Sequence, residues 1–135
     1  MPKATFEARY ENLGRICEFV STTAKRAGLD DSAAYAVELA TNEACTNIIE
    51  HGYGGESENR IECSVEPDDG GVTVVLLDWS QPFDPASVPE ADFDVPLEML
   101  NPRGAGLRLI RGSMDEVHFE PIPGKGNRLT MRKSR

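Results

Sequence analysis

Glu43, Asn47 and His51 stand four residues apart in one uninterrupted stretch of the chain. In an α-helix that spacing makes a slowly drifting line along one side. A carboxylate in such a line can take a proton from a hydroxyl or from water. An amide oxygen four residues on can ligate Mg²⁺, a hard cation that prefers oxygen and shares its coordination with substrate phosphates. Spacing alone leaves another reading open: a solvated helix edge, with His51 capping the last carbonyls. Asp78 follows an apolar run directly, so it emerges at a strand end. A carboxylate there can accept a hydrogen bond from the amino group of adenine, and a plain strand-ending turn fits as well. Gly104-Ala105-Gly106 precedes a short helical pattern, with Arg103 before it. Glycines at that place expose amides to phosphate, and a helix N-terminus favours negative charge. The same residues also make an ordinary loop-to-helix joint.

The elements that must position these residues follow from periodicity. Ala4 to Tyr10 alternates apolar and polar residues, the period of a half-buried strand. The period then changes: Leu13, Ile16, Cys17, Val20, Ala24 and Ala27 fall at helical spacing, and Gly28 follows where a left-handed cap belongs. Asp30, Asp31 and Ser32 offer N-caps for a second helix running to about Glu50, with Val37, Ala40, Ala44 and Ile48 as its apolar stripe. Glu43 and Asn47 border that stripe, at the edge of the face turned to the rest of the fold. Ile61, Cys63 and Val65 alternate as a strand, Pro67 to Gly71 turns, and Val72 to Leu77 reads as a central strand. Gln81 to Asn101 has no periodicity and carries Pro82, Pro85, Pro89 and Pro96, which marks a long acidic loop. Phe93, Val95, Leu97, Met99 and Leu100 give that loop apolar surface, to fold onto a cleft or to meet a partner. Leu107, Ile110 and Met114 mark a short helix, and Val117, Phe119, Gly124-Lys125-Gly126, Leu129 and Met131 a final hairpin. The expected fold is α+β: a two-layer sandwich of a mixed, largely antiparallel sheet with three helices on one face. Strands do not alternate with helices, which disfavours the parallel nucleotide-binding fold.

The 135 residues amount to one domain, 1–135, long enough to bury a core. At 39% hydrophobic and 27% charged residues the composition is that of a globular chain, not a disordered one. A net charge of −9 argues against nucleic acid or a membrane surface as direct partner. No stretch approaches a membrane span and the first residues lack a signal-peptide core, so a cytoplasmic location is expected. Cys17, Cys45 and Cys63 form no C-x-x-C pair and read as buried thiols; His51 and His118 lie too far apart in sequence to head a zinc site.

Glu38 to Tyr53, with Glu43, Asn47, His51 and Tyr53 in E-A-x-x-N-x-x-x-H-x-Y order, resembles the N box of GHKL ATPases and kinases, most closely that of bacterial anti-sigma-factor serine kinases. Asp78-Trp79-Ser80-Gln81-Pro82-Phe83-Asp84-Pro85 is similar to the family's first glycine box, D-x-G-x-P-F-D-P, except that Ser80 replaces glycine. That serine puts a side chain beside the expected base position. Gly104-Ala105-Gly106-Leu107-Arg108-Leu109-Ile110 matches the second, G-x-G-L-x-L-I. The resemblance covers essentially the whole chain, with three motifs in order, and implies the GHKL ATP-binding fold.

By that resemblance Glu43 is the general base, Asn47 binds Mg²⁺ bridging the nucleotide phosphates, and Asp78 reads adenine. Gly104, Gly106 and Leu107 cradle phosphate, and the segment at about 84–103 is the ATP lid. The implied activity is transfer of the γ-phosphate of ATP to a serine of a small anti-anti-sigma protein, joined to binding of a sigma factor. A homodimer is also implied. Ser80 motivates an alternative: a non-catalytic or weakly nucleotide-binding partner-switching module of the same fold. A free-standing ATPase is a third reading.

Overall fold

Helical spacing is realised where the sequence predicts the first two helices. The computed structural model describes residues 2–80, 110 and 112–135. Helix α1 (Leu13–Arg26) buries Ile16, Cys17, Val20 and Ala24 on one face. Its end is a Schellman turn: Gly28 N–H donates to the Lys25 carbonyl (3.0 Å) and Leu29 N–H to that of Ala24 (3.1 Å). Gly28 takes φ +100°, open to glycine at little cost, and Leu29 closes the turn by burying its side chain. Helix α2 (Asp31–Asn47) starts at Asp30, whose carboxylate accepts from Ala33 N–H at 2.8 Å. Such a cap contributes about 1 kcal/mol. The stripe of Val37, Ala40 and Ala44 is buried as the spacing requires, widened by Ala34, Thr41 and Cys45.

Among the described residues five strands form one sheet: β1 (Lys3–Glu7), β2 (Arg60–Asp68), β3 (Gly71–Asp78), β4 (Glu116–Ile122) and β5 (Gly126–Ser134). Their order is β1-β2-β3-β5-β4. Every described pairing is antiparallel, where a mixed but largely antiparallel sheet was expected. The reason is topological. β5 inserts between β3 and β4, so the two strands joined by the long crossover never touch. β1 is shorter than the alternation of Ala4 to Tyr10 predicts, because Glu7 faces Arg60, the first residue of β2. Beyond that register two backbone bonds continue, Ala8 N–H to the Asn59 carbonyl at 2.7 Å and Ser57 N–H to the Ala8 carbonyl at 3.0 Å, and Tyr10–Asn12 turns into α1 as a 3₁₀ turn.

The layers are α on β. One sheet face carries the rungs Val65–Val74–Met131 and Cys63–Leu76–Leu129, all buried beneath the helices. Each fully buried aliphatic side chain there contributes about 1.5–3 kcal/mol. α1 packs on β2 and β3, and α2 reaches β5. Buried Ile110 and Met114 join the same core, and Gly112 and Ser113 between them are helical; residues 81–109 and 111, which include the loop expected from Gln81 to Asn101 and the start of the expected third helix, lie outside the described residues. The opposite face is polar, with ion pairs Lys3–Glu62 (3.1 Å) and Arg128–Glu120 (3.2 Å) across neighbouring strands. Among the described residues no helix is long and apolar enough to cross a membrane.

Candidate functional site

Glu43 and Asn47 sit half-buried along one flank of α2, beside the apolar stripe. The other flank belongs to α1: the Cys17 thiol approaches the Glu38 carbonyl (3.7 Å) and Asn42 Oδ1 (3.9 Å). A cavity of about 280 Å³ there is lined by Leu13, Gly14, Cys17, Tyr35, Glu38, Leu39 and Asn42. Glu43 and Asn47 do not line that cavity; they stand four residues apart on α2, the helix that reaches β5.

The α2 axis does not stop at Asn47. Ile48–Gly52 continues it as a π-turn, where the sequence reading extended the α-helix to about Glu50. Tyr53 N–H donates to the Ile48 carbonyl at 2.8 Å and Gly55 N–H to that of Ile49 at 2.7 Å, the wider closure that defines the turn. Ile48 and Ile49 keep their side chains in the core, and widening lets the chain bring Gly52 down onto the sheet. The phenol of Tyr53 then ties this end to two strands: it donates to the Arg60 carbonyl (2.6 Å) and accepts from Trp79 N–H (2.8 Å). Burial holds that phenol above its ordinary ionisation range.

Under Gly52 the third rung of the sheet turns polar. Ile61, Asp78 and Asn127 lie side by side in register, and Asp78 and Asn127 are buried. Asp78 Oδ1 accepts from Ser80 N–H (3.0 Å), from the Ser80 hydroxyl and from Asn127 Nδ2 (3.1 Å). Asn127 Nδ2 also donates to Ser80 Oγ at 3.1 Å. A Cβ built on Gly52 would stand 2.9 Å from Ser80 Oγ, and one built on Gly126 only 2.0 Å from the Asp78 carbonyl oxygen. Both glycines are therefore required by close approach. Trp79, between Asp78 and Ser80, alternates to the opposite sheet face, where its ring centroid lies 5.1 Å from the Arg60 guanidinium. It stands apart from the Asp78 side of the sheet.

The structure thus brings together three regions that sequence separates: the end of α2, the end of β3 and the start of β5. His51 lies half-buried within the π-turn. Gly104, Gly106 and Leu107, with Arg103, fall outside the described residues. Asn127 was not selected as a site residue from the sequence. The signal was present: pairing the last hairpin with β3 so that Leu129 meets Leu76 and Met131 meets Val74 forces Asn127 opposite Asp78. The three cysteines are buried free thiols, as their patterns imply. Burial pushes Cys17 up to about 11, Cys63 up to about 12 and Cys45 also upward, which keeps them protonated and unreactive at neutral pH.

Residues 6–133 match the histidine kinase-like ATPase domain family. A serine-protein kinase RsbW from Halalkalibacterium halodurans is 28% identical over 124 residues, covering 89% of this chain and 75% of that protein. The serine-protein kinase RsbW of Listeria monocytogenes is 32% identical over 117 residues, covering 80% of this chain and 70% of that one. A crystal structure of the RsbU and RsbW domains of a Mycobacterium tuberculosis protein superposes with a TM-score of 0.63 at 16% identity. The superposition covers 99% of this chain and 32% of that longer chain, and at this identity it speaks to the fold.

Proposed function

Because the chain belongs to the histidine kinase-like ATPase domain family, we propose that it is an ATP-dependent protein serine/threonine kinase. Its acceptor is a serine of a small anti-anti-sigma protein, and it binds a sigma factor as an anti-sigma factor. Residues 1–135 act as one catalytic unit, with the segment at about 84–103 as a lid over the nucleotide. The kinase names of the two relatives support this reading, and both alignments run through most of this chain.

The observation that carries the proposal is the buried polar rung at the end of α2. A carboxylate fixed by three donors on one oxygen, in a core otherwise made of aliphatic rungs, has a hydrogen-bonding task. Asp78 accepts from the adenine amino group, whereas guanine would set its carbonyl oxygen against the carboxylate. Asn47, half-exposed on α2 a turn before Gly52, offers an amide oxygen of the kind Mg²⁺ takes. Asn47 would hold Mg²⁺ as a single protein ligand of the kind this ion accepts beside substrate phosphates. Mg²⁺, when bound, neutralises charge on the phosphates.

Glu43, one turn earlier on the same flank, receives the proton of the acceptor hydroxyl as its oxygen bonds to the γ-phosphorus and the bond to the β–γ bridging oxygen breaks, releasing ADP. Gly104, Gly106 and Leu107 are assigned to phosphate binding by their match to the second glycine box. Phosphoryl transfer depends mostly on positioning and charge neutralisation, which a small scaffold can supply. Calorimetric titration with ATP and Mg²⁺ tests the nucleotide half of the proposal. Saturable binding by the wild type is expected, and a flat titration would end it.

A further inference from the structure

Ser80 departs from the glycine expected beside Asp78, and the structure shows what its hydroxyl does. It is turned inward, against Asp78 Oδ1, with Asn127 Nδ2 bridging both atoms at 3.1 Å each. All three side chains are buried: Asp78 and Ser80 are each 7% exposed and Asn127 4%. The donors converge on one carboxylate oxygen. Oδ1 takes Ser80 N–H, Ser80 O–H and Asn127 N–H, while none of the described residues donates to Oδ2. A carboxylate held this way cannot rotate to exchange its oxygens without breaking three hydrogen bonds. The cluster is also pinned from above, because Gly52 of the π-turn leaves room for Ser80 Oγ only by having no Cβ.

We propose that Ser80 and Asn127 are positioning residues for purine recognition, saturating Asp78 Oδ1 so that Oδ2 is held as a fixed acceptor for the base amino group. The inference rests on the reading of Asp78 as the base-recognising residue. On this account Ser80 replaces, within the protein, a donor that a smaller residue would leave to solvent. The departure from glycine is thereby absorbed, and nucleotide selectivity is kept.

The size of the replacing side chain gives the test its edge. In Ser80→Ala the methyl group removes the donor and keeps water out. In Ser80→Gly the freed volume adjoins two polar partners, Asp78 Oδ1 and Asn127 Nδ2, which suits a single water. Alanine must therefore harm binding more than glycine. A purely structural role predicts the reverse order, since glycine costs the backbone more than alanine.

The experiment is a titration of Mg²⁺-ATP and Mg²⁺-GTP into wild type, Ser80→Ala, Ser80→Gly, Asn127→Ala and Asp78→Asn, with melting temperatures recorded for each. Ser80→Ala and Asn127→Ala are expected to weaken ATP about 3- to 10-fold, the worth of one hydrogen bond in a buried network, and to narrow the ATP/GTP preference. Ser80→Gly is expected to stay within about 3-fold of wild type, the residual cost of a water-mediated contact. Wild-type ATP affinity and preference in both Ser80→Ala and Asn127→Ala, with Asp78→Asn defective, overturns the positioning role while leaving Asp78 as base reader. Wild-type binding by Asp78→Asn overturns the base reading and this inference with it. Should Asn127→Ala fail to fold, the order of Ser80→Ala and Ser80→Gly decides alone.

Discussion

Gly52→Ala reports directly on the contact between the π-turn and the polar rung. Gly52 has no positive φ, so alanine is conformationally acceptable, and a helical backbone alone would reward the change by about 0.5–1 kcal/mol. The structure opposes that gain. The new Cβ would lie 2.9 Å from Ser80 Oγ and 3.3 Å from Ser80 Cβ, while Ile48 Cγ2 at 3.8 Å is an ordinary contact. Ser80 must therefore give way. Its hydroxyl gives up two buried hydrogen bonds, one to Asp78 and one from Asn127, each worth about 1 kcal/mol net. Loss minus gain leaves Gly52→Ala destabilised by about 1–1.5 kcal/mol in urea unfolding, read from the midpoint at constant slope. In a Ser80→Gly background the obstruction is gone, and the same substitution should be stabilising by about 0.5–1 kcal/mol. A change of sign between backgrounds is the expected coupling. Equal effects of Gly52→Ala in the two backgrounds would refute the packing argument.

Four further outcomes follow from the described residues. Thr41 is fully buried and its hydroxyl has no hydrogen-bond partner among them, so Thr41→Val should raise stability by about 1 kcal/mol; a lower melting temperature would show that the hydroxyl has a task. The buried thiols should resist alkylation in the native protein at about pH 8 and all react in denaturant. Because Cys17 and Cys63 titrate at about 11 and about 12 when folded, their stabilising contribution is complete below the ordinary thiol range and is lost as pH rises through those values. Stability should fall on the alkaline side, less steeply in Cys63→Ala. Asp68 is held down to about 2, first by the hydrogen bond from Arg132 and then by Gly70 N–H. Its contribution is present above the ordinary aspartate range and fades as pH falls through about 2, so a carbon-13 carboxyl titration should find it there and find it raised in Arg132→Gln.

The helices and strands were legible because their burial patterns are simple. Ile16, Val20 and Ala24 on α1, or Ile61, Cys63 and Val65 on β2, state their face by spacing alone. The π-turn was not legible, since Ile48 and Ile49 satisfy an α-helical stripe as well as a widened one; the choice is made by Gly52 and Tyr53 docking on the sheet. The purely antiparallel pairing was hidden for a similar reason. Whether β4 or β5 lies beside β3 depends on a long crossover whose path no local pattern records. At the site, Glu43 and Asn47 emerged as a half-buried helix edge, as spacing implied. Ser80 read as a side chain placed where a base belongs. Its inward turn depends on Asn127, which lies 47 residues away and meets it only through strand register.

The central claim is that Glu43 performs proton transfer within an ATP site, and γ-labelled ATP tests it most directly. Wild type and Glu43→Ala are incubated with Mg²⁺ and candidate anti-anti-sigma proteins, with nucleotide binding measured in parallel. The account predicts label on a serine of the acceptor with wild type, and near-wild-type ATP binding without transfer in Glu43→Ala. Undiminished transfer by Glu43→Ala would contradict it.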